Sequence, residues 1–229
     1  MTIVTWPSSV ALSLWLLKNN SNLLLLNNPS ILEVGAGTGL VGLVTAKLFS
    51  DAAAKNDYRG GKVILSDYNP LVLDNLKRNI VLNRLEQYAD TSCLDFNRQD
   101  GTHYEGGWME NIYPSSVHDT LNTQSHLRPR EAVDMVLAAD VICQPSDSVS
   151  LSKTIYDALK PGGKAIVSSA AAVHRFGVET FQSECEKRGM TVTVSSIVPE
   201  GNPSLYLSTS GFVEGMSMNL YEIGKPCLL

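Results

Sequence analysis

The sequence predicts an α/β fold: a doubly wound, mostly parallel sheet of seven strands with an antiparallel C-terminal edge strand. Three observations predict it. Short apolar runs alternate with helical patterns along most of the chain, the first run ends in Gly35-Ala36-Gly37-Thr38-Gly39, and the last two runs have no helix between them. Alternating strands and helices imply right-handed crossovers and a parallel sheet, whereas two strands joined by a loop alone pair antiparallel. The 229 residues fit a single domain, 1–229, large enough for a full sheet with helices on both faces.

Each element has its own signal. Trp6-Pro7-Ser8-Ser9 opens a helix, with Pro in the first turn and serines suited to a cap. Val10, Leu14 and Leu17 share one face of it, widened by Leu12 and Leu16. The leucine cluster at 23–26 is far short of the ~20 residues a membrane span needs. A turn at 27–30 delivers the first strand, 31–34, and the glycines then open the second helix.

Residues 62–66 read as the second strand, closed by Asp67, and Asn69-Pro70 starts a helix with Leu73, Leu76, Ile80 and Val81 inward. A short third strand at 91–94 ends at Asp95-Phe96. Residues 97–131 carry no period but do carry Gly106-Gly107, Pro114 and Pro129, so they read as a loop insertion. The fourth strand, 133–138, is continuously apolar as a central parallel strand should be. Asp147 and Ser148 suit the cap of a helix bearing Leu151, Ile155 and Leu159, and Pro161-Gly162-Gly163 stops it before strand five, 164–169. Phe181 and Cys185 mark one more helix, and 191–198 and 217–223 are the final strands.

Hydrophobic content of 44% and charged content of 18% are those of a globular protein. A net charge of −5 argues against broad binding of nucleic-acid phosphates, which takes clustered Lys and Arg. Four scattered cysteines without a C-x-x-C pair point to reduced thiols rather than a disulfide frame or a zinc site. The start lacks a basic and apolar leader. A cytoplasmic protein is therefore expected, with the nucleus as the second choice.

A strand that ends in glycines and opens a helix is a nucleotide cradle, because the backbone can turn tightly and present free N–H groups. Gly37, Gly39 and Gly42 match the dinucleotide pattern G-x-G-x-x-G. Glu33 opposes that reading: it would repel a pyrophosphate and attract a cationic amino-acid end. Glu33-x-Gly35-x-Gly37-x-Gly39 resembles motif I of the seven-strand, Rossmann-like (class I) methyltransferases that use S-adenosylmethionine. In that family the acid helps hold the methionine end of the cofactor.

Acids fall at four successive strand ends: Glu33, Asp67, Asp95 and Asp140. Ligands of open α/β sheets lie there, although Asp is also an ordinary turn residue. Asp67 suits the ribose hydroxyls and Asp95 an adenine amino group, with Phe96 either covering the ring or packing in the core. His174 reads as a surface loop residue, with a base at the pocket mouth as the alternative.

Trp6-Pro7-Ser8, residues 31–42 and 65–83, Leu94-Asp95-Phe96 and Leu137-Ala138-Ala139-Asp140 narrow the resemblance to the family 16 branch of protein-lysine methyltransferases. The resemblance implies methyl transfer from S-adenosyl-L-methionine to a lysine of a protein substrate. It also implies a cofactor site of Trp6, Glu33, Gly35, Gly37, Gly39, Asp67, Asp95, Phe96 and Ala139, with Asp140 orienting the acceptor amine. No metal, membrane or nucleic-acid partner is expected, and the chain should be a monomer. The family has Asp-x-x-Tyr after strand four, but here Cys143 stands in the tyrosine's place. A thiol cannot supply the cation–π contact of an aromatic wall. A non-catalytic cofactor-binding interaction protein and a small-molecule methyltransferase therefore stay open.

Overall fold

A computed structural model describes residues 4–19, 28–55, 60–97, 133–197, 203–213 and 215–227. The expected insertion at 97–131 lies, except for Asn97, outside the described residues, as does the leucine cluster at 23–26. The described elements are α1 (Pro7–Lys18), β1 (Ser30–Val34), α2 (Leu40–Lys55), β2 (Lys62–Asp67), α3 (Pro70–Leu82), β3 (Ala89–Cys93) and β4 (Val133–Ala139). They continue with α4 (Pro145–Ala158), β5 (Leu159–Ala170), α5 (Phe181–Glu186), β6 (Thr191–Ile197), α6 (Pro203–Leu207) and β7 (Met218–Gly224).

The seven strands form one sheet in the order β3-β2-β1-β4-β5-β7-β6. β3, β2, β1, β4 and β5 are mutually parallel, while β7 is antiparallel to both β5 and β6. The C-terminal strand thus has the expected direction, but it is inserted one place inside the edge. The edge position itself belongs to the largely exposed β6.

Strand alternation divides the core into two layers. Ile31, Val63, Leu65 and Leu137 face α1, α2 and α3, meeting Leu12, Phe49 and Leu76. Leu32, Val34, Ile64 and Val136 face α4 and α5, meeting Leu151, Ile155 and Phe181. Glu33 alternates into the first of these layers, which puts a carboxyl inside an apolar face.

Several periodicity readings are corrected in detail. Leu17 and Val81 are exposed, while Val72 takes an inward place on α3. Val10, Leu12 and Leu16 are buried, whereas Leu17 lies in the last turn of α1, at its exposed end. Pro161-Gly162-Gly163 does not separate α4 from β5 but forms an irregularity within β5, because Leu159 already pairs with Val133 and pairing resumes at Lys164 with Met135. At the opposite end of the sheet from the strand carboxyl ends, Asp134 accepts from the Ser30 amide, the Ser30 hydroxyl and Lys160, each at 2.9 Å, and ties β1, β4 and β5 together. Among the described residues no helix is long and apolar enough to cross a membrane.

Candidate functional site

The strand order reverses between β1 and β4, and a cleft opens there at the carboxyl ends of the strands, where open α/β sheets bind ligands. Its volume is about 580 Å³, within the range of small-molecule sites. Of the ten residues singled out from the sequence, Trp6, Gly35, Gly37, Asp67, Asp95, Phe96, Ala139 and Asp140 line it. Glu33 and Gly39 lie behind the lining.

The glycine loop builds the floor. Gly35, Gly37 and Gly39 all have positive φ, at 64°, 54° and 81°. The two flanking glycines are packed against side chains, Gly35 on Val141 and Gly39 on Leu76. Gly37 differs: a Cβ there would meet nothing within 4 Å, so its backbone faces open space. A ligand can therefore come up against bare peptide at this point.

Asp67 stands beside that space. Its Oδ2 accepts from the Gly37 amide at 3.2 Å and its Oδ1 from the Asn69 amide at 3.0 Å, so one carboxylate bridges the loops after β1 and β2. Burial pushes its pKa up, and the amides of Asn69, Gly37 and Tyr68 pull it back down. Asp95 accepts from the Asn97 amide at 3.0 Å, holding the turn after β3. Phe96 lines the cleft and also packs against the α4-side core.

Glu33 is 2% exposed. Its Oε2 accepts from the Gly42 amide at 3.0 Å, a first-turn N–H of α2 that has no partner within the helix. Burial pushes its carboxyl up to about 8 from an ordinary 4.5, the Gly42 amide opposes the rise, and the neighbouring Asp67 adds to it.

The other end of the cleft is built by the loop after β4. Asp140 has φ 57°, a left-handed conformation that Asp tolerates better than most residues. Its amide donates to Ser168 of β5 at 2.9 Å and its Oδ1 accepts from the Ala170 amide at 3.3 Å. Asp147, buried at the start of α4, accepts from the amides of Cys143 and Gln144 at 2.8 and 3.1 Å and from Asn97 at 3.0 Å. Cys143 is thereby fixed at the rim, with its side chain exposed. Cys185, by contrast, is buried in the core, which pushes its thiol up to about 12. His174 is exposed.

Sequence reasoning missed Arg175. Its Nη2 pairs with Asp140 Oδ1 at 3.1 Å, its Nη1 donates to Cys143 Sγ at 3.7 Å, and its guanidinium lies 5.1 Å from the centre of the Trp6 ring. The predicted acid, the predicted tryptophan and the anomalous cysteine thus meet on one cation. The sequence marks Asp147 only as a cap; that its carboxyl also holds Asn97 depends on the folded positions of two loops.

A family model described as "Lysine methyltransferase" matches residues 1–183. The chain belongs to this family. Among curated relatives it is 31% identical over 150 residues to the human protein-lysine N-methyltransferase EEF2KMT, covering 65% of this chain and 38% of the relative. It is 27% identical over 195 residues to the protein-lysine N-methyltransferase EFM3 of Chaetomium thermophilum, covering 84% of this chain and 49% of the relative. The chain thus spans about half or less of the length of these relatives.

Among solved structures, a SAM-dependent methyltransferase from Aquifex aeolicus superposes with a TM-score of 0.58 at 14% identity, covering 95% of this chain and 93% of that one. The [4+2]-cyclase SpnF also superposes at 0.58, with 14% identity over 92% and 81% of the two chains. That pair carries the fold alone, and what this family member does has to be argued from its own cleft.

Proposed function

We propose that this lysine methyltransferase family member binds S-adenosyl-L-methionine in the cleft and methylates a lysine side chain of a protein substrate. The observation that carries the reading is the open space over Gly37 beside the buried Asp67 carboxylate, with Asp140 at the other end of the same cleft. A bare backbone and an acceptor-only carboxylate suit a ribose bearing two vicinal hydroxyls. They do not suit a ribose that carries a 2′-phosphate, which Asp67 would repel.

Bound S-adenosylmethionine supplies an electrophilic sulfonium methyl. The protein's own residues hold and align. Asp67 accepts from the ribose hydroxyls, Asp95 accepts from the adenine amino group and Phe96 covers the ring. Gly35, Gly37 and Ala139 keep the floor free of bulk. Glu33 acts at one remove, fixing the glycine loop through the Gly42 amide.

Asp140 grips and orients the acceptor amine. A lysine has a reference pKa near 10.4, so presenting it neutral at pH 7 costs about 4.6 kcal/mol. Asp140 alone favours the charged amine, so the proton leaves to solvent before transfer. Alignment in a partly dry cleft is the principal rate contribution.

One observation favours a second reading, a cofactor-binding module without transfer activity: the Asp140 carboxylate is already paired, and Cys143 offers no aromatic wall. Calorimetric titration with S-adenosylhomocysteine, with NAD as control, tests cofactor identity. Tritiated methyl transfer into a lysate, resolved by gel and acid precipitation, tests the reaction. A labelled protein band supports the proposal, label confined to small molecules redirects it to a metabolite, and binding without label supports the second reading. A protein that binds NAD and not S-adenosylhomocysteine overturns both.

A further inference from the structure

The segment between β5 and the 3-10 turn at Val178–Thr180 is anchored at both ends. The Ala171 amide donates to Ser217 at 3.0 Å, and Gly177 accepts from the buried Ser148 hydroxyl at 2.7 Å. Between those anchors, residues 172, 173, 174 and 176 are exposed, among them the apolar Val173 and Phe176. Arg175 alone turns inward, with its side chain 18% exposed.

It turns onto Asp140, Cys143 and Trp6, which all line the cleft. The Asp140 carboxylate, 2% exposed, takes Nη2, the Cys143 sulfur takes Nη1, and the guanidinium lies over the Trp6 ring. A carboxylate beside an aromatic face is what binds an alkylammonium, through charge and cation–π attraction together. Arg175 satisfies that pair from within. The fit is incomplete, because its buried Nε has no hydrogen-bond partner among the described residues.

We propose that Arg175 is a specificity-determining residue that occupies the cation subsite formed by Asp140 and Trp6, so that an acceptor ammonium enters only by displacing it. This rests on the methyltransferase reading for the meaning of the subsite, though not for its ability to bind an amine. Two cations cannot share one carboxylate without repulsion, so the acceptor's affinity is set by competition with the guanidinium. An acceptor whose surrounding protein makes further contacts displaces it readily, whereas a free amine does so only weakly. The exposed Val173 and Phe176 flank Arg175, where such contacts would fall. The short segment between its two anchors is the part that has to move.

The test uses the full chain and butylammonium as probe, followed by the Trp6 indole N–H and Arg175 Nε–H signals in NMR titrations with and without S-adenosylhomocysteine. Wild-type protein should bind the probe weakly. Arg175→Gln should bind it about tenfold or more tightly, one decade being the loss of one competing charged contact. Arg175→Lys, which keeps a cation, should stay near wild type, and adding Asp140→Asn to Arg175→Gln should remove the gain. In wild type the Arg175 Nε–H signal should shift in step with the Trp6 signal, an arm that needs no variant. An unchanged affinity in Arg175→Gln, a gain that survives Asp140→Asn, or probe binding at Trp6 that leaves Arg175 unmoved would overturn the proposal. Failure of S-adenosylhomocysteine to bind would instead overturn the methyltransferase reading, and the amine titrations without it would still decide the role of Arg175.

Discussion

The amide of Gly42 in the first turn of α2 donates to the buried carboxyl of Glu33 at the end of β1. One hydrogen bond thus joins the strand to the helix across the glycine loop. The same burial that makes this contact firm keeps the carboxyl protonated to about pH 8.

That raised pKa has a stability consequence of definite sign. Below about pH 4.5 the group is protonated in folded and unfolded chains alike, and stability is full. As pH rises from there toward about 8, the unfolded chain ionises while the folded chain keeps its proton, so stability falls. Glu33→Gln keeps the acceptor for Gly42 and removes the titration. Urea unfolding should show the variant more stable than wild type at pH 8 and nearly equal at pH 4.5. A wild-type stability that rises across this window would show that Glu33 is ionised in the fold.

Asp67 reports on the cofactor end. Asp67→Ala removes the proposed ribose contact and the bridge between the loops after β1 and β2. Calorimetry with S-adenosylhomocysteine should give an affinity weaker by roughly 1.5–3 kcal/mol, the range for hydrogen bonds to a charged group. Unchanged affinity in a folded variant would leave Asp67 as a turn residue only.

The end of the cleft built by the loops after β1, β2 and β3 was legible because each residue there is marked locally. Gly37 lies in a spaced glycine run, and Asp67 and Asp95 close recognisable strands, so position along the chain predicted position in the cleft. Arg175 was not legible. It sits in a segment without period and meets Cys143 from 32 residues away, a contact only the folded loops create. The place of β7 was hidden for a similar reason: β6 and β7 both read as strands, and nothing local says which pairs with β5. The misjudged faces of α1 and α3 show the limit of periodicity, since Leu17 and Val81 are apolar yet point outward.

Lys225 offers a test of the fold that is independent of the cleft. Just beyond β7, its Nζ donates to the carbonyls of Tyr156 and Leu159, both at 2.8 Å, and lies 4.5 Å from the Tyr156 ring centre. It caps the C-terminal end of α4, where the helix dipole is negative. Lys225→Met keeps the stem and leaves buried carbonyls unmatched. A loss of about 1–3 kcal/mol is expected in urea unfolding at pH 7, with S-adenosylhomocysteine affinity unchanged. A variant as stable as wild type would mean that water satisfies those carbonyls equally well.

The last prediction joins Asp140 to Cys143, where family pattern and chemistry diverge. Asp140→Asn keeps size and hydrogen bonding but removes the charge proposed to orient the amine. S-adenosylhomocysteine binding should survive while methyl transfer falls roughly 30- to 150-fold, the equivalent of one good charged contact. Cys143→Tyr should raise transfer to lysine by restoring an aromatic wall at the rim, where the thiol now meets the tip of Arg175. Cys143→Ser should change transfer little, because the hydrogen bond from the Cys143 backbone amide to Asp147 is kept and a serine hydroxyl can still accept from Arg175. Initial rates of tritium transfer into lysate protein, compared at equal fractions of folded enzyme, measure all three. Asp140→Asn retaining full transfer while Cys143→Ser abolishes it would place the acceptor elsewhere and make the thiol a participant, and the lysine assignment would fall.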